Sequence, residues 1–183
     1  MLNNIVALLS DGVTAAVASF ESIATVTVGS GGAANIEFTS IPATYKHLQV
    51  RCFSIMSFND GFGKLQFNSD TGNNYATHQL YGDGASVGAG ANTSVNYIRT
   101  TVSALSGTNP LGASIVDILD YTNTNKYTTV RTLTGSDTNG AGYMMLQSGV
   151  WMNTNAITSL KITANSGNFN QYSSFALFGI KGA

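Results

Sequence analysis

One cysteine, two prolines, two histidines and two glutamates are all that 183 residues contain of those types. A lone thiol, Cys52, rules out an internal disulfide and with it any stapled secreted scaffold. One cysteine and two histidines also fall short of the usual zinc ligand sets, and no H-E-x-x-H run is present. Charge is equally scarce: eight Lys and Arg against nine Asp and Glu, a net charge of −1. Eight scattered cations draw no basic face for nucleic acid and no polybasic run for an anionic membrane surface. No stretch reaches 18 apolar residues, so no helical membrane span is expected.

What fills the chain instead is small and polar. Gly, Asn, Ser and Thr account for 78 of the 183 residues, yet 43% of the chain is hydrophobic. Disorder pairs low hydrophobicity with high charge, and this composition does neither. A chain of this size folds as one domain and buries roughly 70% of its unfolded surface. Free-standing domains coat themselves with about 25–35% charged surface, a density that 9% charged residues cannot reach. The shortage points to life inside a larger assembly.

Residues 1–20 form an expected N-terminal arm, extended or in short helices. Its apolar residues Ile5, Val6, Leu8 and Leu9 carry no neighbouring cation, since the first Lys or Arg of the chain is Lys46. A secretory signal begins with positive charge and keeps an unbroken apolar core, whereas Ser10-Asp11-Gly12 interrupts this one. The expectation is a protein made in a cytoplasm without an export tag. The arm is expected to pack on a neighbour, in a homo-oligomer, or on the larger assembly that holds the protein.

From residue 21 to 183 the apolar period is two, as in a single β domain. Leu48, Val50, Cys52 and Met56 alternate with His47, Gln49, Arg51, Phe53 and Ile55, and ten or so further short segments are rich in β-branched and aromatic residues between Gly, Asn, Asp or Pro. With no amphipathic crossover helix between them, these segments predict an all-β, antiparallel two-sheet β-sandwich of eight to eleven strands. Ser174–Ile180 is apolar on both faces and predicts a strand inside its sheet. Gly82–Ser94 has no side chain able to anchor a conformation and predicts a surface loop.

Little in the sequence marks chemistry. No G-x-S-x-G elbow accompanies His47 or His78, and Cys52 shares a face with Leu48 and Val50, as an inert buried thiol does. Asp117 and Asp120 lie three apart in a strand and point to opposite faces, so they form no local acid pair. Asp117 reads either as a carboxylate tied to an arginine such as Arg131 or as part of a solvated face. Asn68–Asn74 spaces oxygen ligands loosely like a calcium loop but lacks the closing glutamate, and reads as a turn held by Asx bonds. No catalytic, cofactor or metal residue is assigned. Among 18 aromatics, Tyr81, Tyr121 and Trp151 are the candidates for an interface or a glycan contact.

The segments IEFTSIPATYKHLQVR (36–51), FNSDTGNNYATHQLYGDG (67–84), IVDILDYTNTNKYTTVRTLTG (115–135) and WMNTNAITSLKITANSGNFNQYSSFALFGIKG (151–182) resemble a family of small virion proteins of tailed bacteriophages. The resemblance implies a jelly-roll-type sandwich, a non-enzymatic role in the virion and, from the three-fold positions that virion components occupy, a trimer. The first expectation is a capsid decoration, or cement, protein that stabilises the head against the major capsid protein. The alternative is a tail or head fibre component, a receptor-binding module contacting host surface glycans. The family brings no catalytic residues and no cofactor.

Overall fold

A computed structural model describes residues 6–8, 14–16, 19–58, 61–102, 112–137 and 140–182. Fourteen strands are found among them: β1 (Val6–Leu8), β2 (Thr14–Ala16), β3 (Phe20–Thr27), β4 (Asn35–Phe38), β5 (His47–Ser54), β6 (Phe62–Phe67) and β7 (Tyr75–Gly82) in the first half. The second half adds β8 (Val87–Val95), β9 (Ile98–Val102), β10 (Gly112–Leu119), β11 (Thr128–Asp137), β12 (Gly142–Trp151), β13 (Leu160–Ala164) and β14 (Ser174–Ile180). Eight strands form one sheet in the order β3-β14-β5-β10-β11-β12-β7-β8, and four form a second in the order β4-β13-β6-β9. Every pairing is antiparallel. The protein is therefore an all-β, two-sheet sandwich of jelly-roll-like type, with twelve strands in its two sheets against the eight to eleven expected.

Alternation writes the core. Leu48, Val50 and Cys52 of β5, Val116 and Ile118 of β10, Val130 of β11, and Phe175 and Leu177 of β14 turn inward and meet Ile36, Leu65, Phe67 and Ile162 of the smaller sheet. Each such side chain taken from water contributes about 1.5–3 kcal/mol before conformational entropy opposes it. At one end Trp151 packs against Phe67 with ring centroids 5.5 Å apart, and Tyr75 lies against both. β14 is flanked by β3 and β5, as its two apolar faces require; Phe175 is buried and Phe178 stacks on Phe20 at 4.7 Å.

The expected loop at Gly82–Ser94 is corrected. Residues 83–86 alone turn, with Asp83 Oδ1 accepting hydrogen bonds from the Ala85 and Ser86 amides, and Val87–Val95 pairs with β7 as a nine-residue edge strand. Backbone pairing needs no side chain to anchor it. Gly88 leaves room for a ring: a Cβ there would sit 2.5 Å from the far end of Tyr81, which would have to shift.

Within the expected arm, Val6–Leu8 and Thr14–Ala16 pair as a two-stranded antiparallel ribbon. Ile5 and Leu9 lie outside the described residues, as does the packing of the Val6 and Leu8 side chains. The sandwich itself begins at Phe20, which pairs with Ile180.

Candidate functional site

Four strands of the larger sheet reverse their polarity halfway along. In β10, inward-facing Ile118 and Val116 give way to Ser114; in β11, Val130 gives way to Thr132, Thr134 and Ser136; in β12, Trp151 gives way to Gln147. In β7, buried Tyr75 is followed by Thr77 and Gln79. The inner face of this half is thus a floor of hydroxyls and amides around the fully buried Met145.

β9 lies across that floor, in contact with β5, β7, β10, β11 and β12. Gln147 Nε2 donates to the Arg99 carbonyl at 2.8 Å, and Ser54 and Thr101 hydroxyls meet at 2.6 Å. Because β9 is the margin of the smaller sheet, a cleft opens between its outward side and β7–β8. Within it is a recess of about 100 Å³ lined by Phe62, Thr77, Gln79, Asn92, Tyr97 and Arg99.

Aromatic rings and cations alternate along this cleft. Lys64 Nζ lies 5.3 Å from the Tyr97 ring, and Tyr97 is 5.9 Å from Phe62. The Arg99 guanidinium sits 4.4 Å over Phe62 and 6.0 Å from Tyr143, which stacks on Tyr81 at 5.7 Å. No carboxylate pairs with Arg99 among the described residues. Arg99 Nε, Gln147 Oε1, Thr132 Oγ1 and Ser136 Oγ are shielded from solvent with no partner among the described residues. A buried polar atom without a partner costs about 1–3 kcal/mol, so a cluster of them marks a place for water or ligand.

Of the three aromatics singled out from sequence, only Tyr81 reaches the cleft. Tyr121 and Trp151 are fully buried, and as surface contacts they are corrected. The Tyr121 hydroxyl donates to the Pro42 carbonyl, and Trp151 Nε1 donates to Asp70 Oδ2 at 2.8 Å. Both rings are amphipathic, and each spends its polar atom inside the protein.

The remaining candidates are structural. Asp70 Oδ1 accepts from the Gly72 amide, and Asn74 Nδ2 donates to Asp70, so Asn68–Asn74 is the Asx-held turn expected. Cys52 is buried, and desolvation pushes its thiol up to about 12. Asp117 lies on the outer face and accepts from Gln49 Nε2 at 2.7 Å, opposite Arg131 in register. The Asp120 amide donates to His47 Nδ1 at 3.0 Å, while Lys126 and Lys46 hold the Asp120 carboxyl down to about 2 against the opposing effect of burial. Among the described residues no cluster of His, Cys, Asp and Glu suits a metal ion.

Sequence reasoning missed Arg99, Phe62 and Gln147. The available signal was β11 itself, where Thr132, Thr134 and Ser136 share the parity of Val130.

No family model matches the sequence, and no curated protein matches it. Two solved structures that the chain resembles are both of the alginate lyase Aly36B. The first, a mutant in complex with alginate tetrasaccharide, is 12% identical over 85% of this chain and 78% of that one, with a TM-score of 0.36. The second is 14% identical over 94% of this chain and 80% of that one, with a TM-score of 0.32. These findings correct the reading drawn from the phage resemblance. Both are alginate lyases and not virion proteins, so the decoration and capsid assignments are withdrawn, the fibre alternative loses its place in a virion, and the exclusion of an enzyme goes with them. At this identity and TM-score the likeness carries no residue role to this chain.

Proposed function

We propose that this protein is a carbohydrate-binding β-sandwich whose cleft between β9 and β7–β8 takes an acidic saccharide. The observation that carries the reading is the Arg99 guanidinium, stacked on Phe62 beside the Tyr143 ring and without a carboxylate partner among the described residues, with Tyr97 next to Phe62. The C–H faces of a sugar ring pack on aromatic faces, and its hydroxyls exchange hydrogen bonds with amides such as Gln79, Asn92 and Gln147. A planar guanidinium binds a carboxylate through two parallel hydrogen bonds, which selects a uronate over a neutral sugar. The recess holds a carboxylate or a hydroxymethyl group, while neighbouring sugar units lie along Tyr143 and Tyr81.

Calorimetric titration with alginate tetrasaccharide, and in parallel with a neutral oligosaccharide of equal length, tests this. Binding of the acidic oligomer, weakened by Arg99→Ala by about tenfold or more, is expected, since a charge-assisted hydrogen bond contributes roughly 1.5–3 kcal/mol. Equal binding of both sugars, or none of either, would overturn the reading. Ultraviolet absorbance followed during the same titration reports whether an unsaturated uronate, the product of β-elimination, is also released.

A further inference from the structure

On the opposite face of the larger sheet the reversal of polarity leaves apolar side chains in solvent. One row runs straight across four strands, Ile115 to Leu133 to Leu146 to Leu80, each directly opposite the next. A second row beside it carries Phe53, Met144 and Val87, with Ala113, Gly135 and Gly82 between them. Their exposures run from 39% at Ile115 to 93% at Val87. Together these side chains expose on the order of 700 Å² of contiguous apolar surface, above the roughly 300–600 Å² of the largest patch on an ordinary monomer.

We infer that this face is the interface between two copies of the chain, packed sheet on sheet about a two-fold axis. Two such patches remove about 1,400 Å² from water, within the 1,200–2,000 Å² of a standard stable interface. The patch itself holds no charge, so pairing it with itself strands none. Its margins differ in sign. Along β11 the outward residues read Arg131, Leu133, Gly135, Asp137; Asp117 lies opposite Arg131 and Arg51 at the end of the leucine row, which leaves that margin net positive, while Asp83 and Asp137 line the other. An axis lying across the strands sets the Asp137 margin of one copy over the Arg131 margin of the other. An axis along the strands sets like over like, and is disfavoured. The pair is two-fold and rests on the sandwich, unlike the trimer built on the N-terminal arm that the sequence led us to expect. It leaves the cleft on the inner face free, so the saccharide reading stands or falls separately.

Sedimentation equilibrium of the full chain at micromolar concentration is the test. A dimer is expected, with Leu146→Glu raising its dissociation constant at least about tenfold by placing a charge in the apolar centre. Arg131→Asp and Asp137→Arg should each weaken the dimer several-fold, and the two together should restore it. This charge exchange keeps the test sharp even if Leu146→Glu does not fold. A monomeric wild type, a dimer indifferent to Leu146→Glu, or a double exchange no tighter than its single variants would overturn the inference. So would a monomer that floats with phosphatidylcholine vesicles, which would make the face a lipid surface.

Discussion

The indole of Trp151 donates its one hydrogen bond to the carboxylate of Asp70, 81 residues earlier in the chain, at 2.8 Å. The pair ties the end of β12 to the turn after β6. Asp70→Ala leaves a buried N–H without an acceptor and removes the turn's bonds to Gly72 and Asn74. A loss of about 1–3 kcal/mol is expected, read from urea unfolding followed by Trp151 fluorescence.

Acid should destabilise the protein in a defined window. Lys126 and Lys46 hold the Asp120 carboxyl down to about 2, outweighing the upward effect of burial. A carboxylate with a depressed folded value adds stability above its unfolded value of about 4, and loses it as pH falls through the folded one. Wild type should therefore lose stability between about pH 4 and pH 2, and Asp120→Asn should show a flatter profile there. Parallel urea midpoints across that range provide the measurement.

Cys52 should resist modification. Its thiol lies in the core, is raised to about 12 by desolvation and points at the Ser114 carbonyl. At neutral pH the native protein should take up no thiol reagent over hours, while the urea-unfolded chain reacts fully, as mass spectrometry would show.

Gly149 has a Cβ-sized gap filled by a neighbour. A methyl group there would lie 2.8 Å from Cγ2 of Ile98 and 3.0 Å from its Cδ1. Gly149→Ala should push β9 off β12 and cost about 1–3 kcal/mol, visible as a lower thermal midpoint.

The architecture was legible because alternation between Val50 and Arg51, or Val116 and Asp117, follows the pleat. β8 was not, because Gly88, Ala89, Gly90 and Ala91 carry no periodic signal and pair through backbone alone. The cleft has no such signature: in β11 and β12 Leu133 and Leu146 face solvent while Thr132 and Gln147 face in, the reverse of the usual division of apolar and polar residues. Arg99 had no sequence signal at all, since a lone arginine in a short strand reads as solvated. Its position follows only from β9 lying across the larger sheet.

The reversal of polarity along β10, β11 and β12 bears on how these strands find their alignment. Sliding one strand past another by a single residue swaps its faces. In the half around Trp151, Val130 and Ile118 such a slip would drive apolar groups into water and is forbidden. In the half around Leu133 and Leu146 the same slip would turn leucines inward and hydroxyls outward, which local burial alone would reward. Correct alignment is therefore decided at the tryptophan end, and the other half is zipped into place against its own preference.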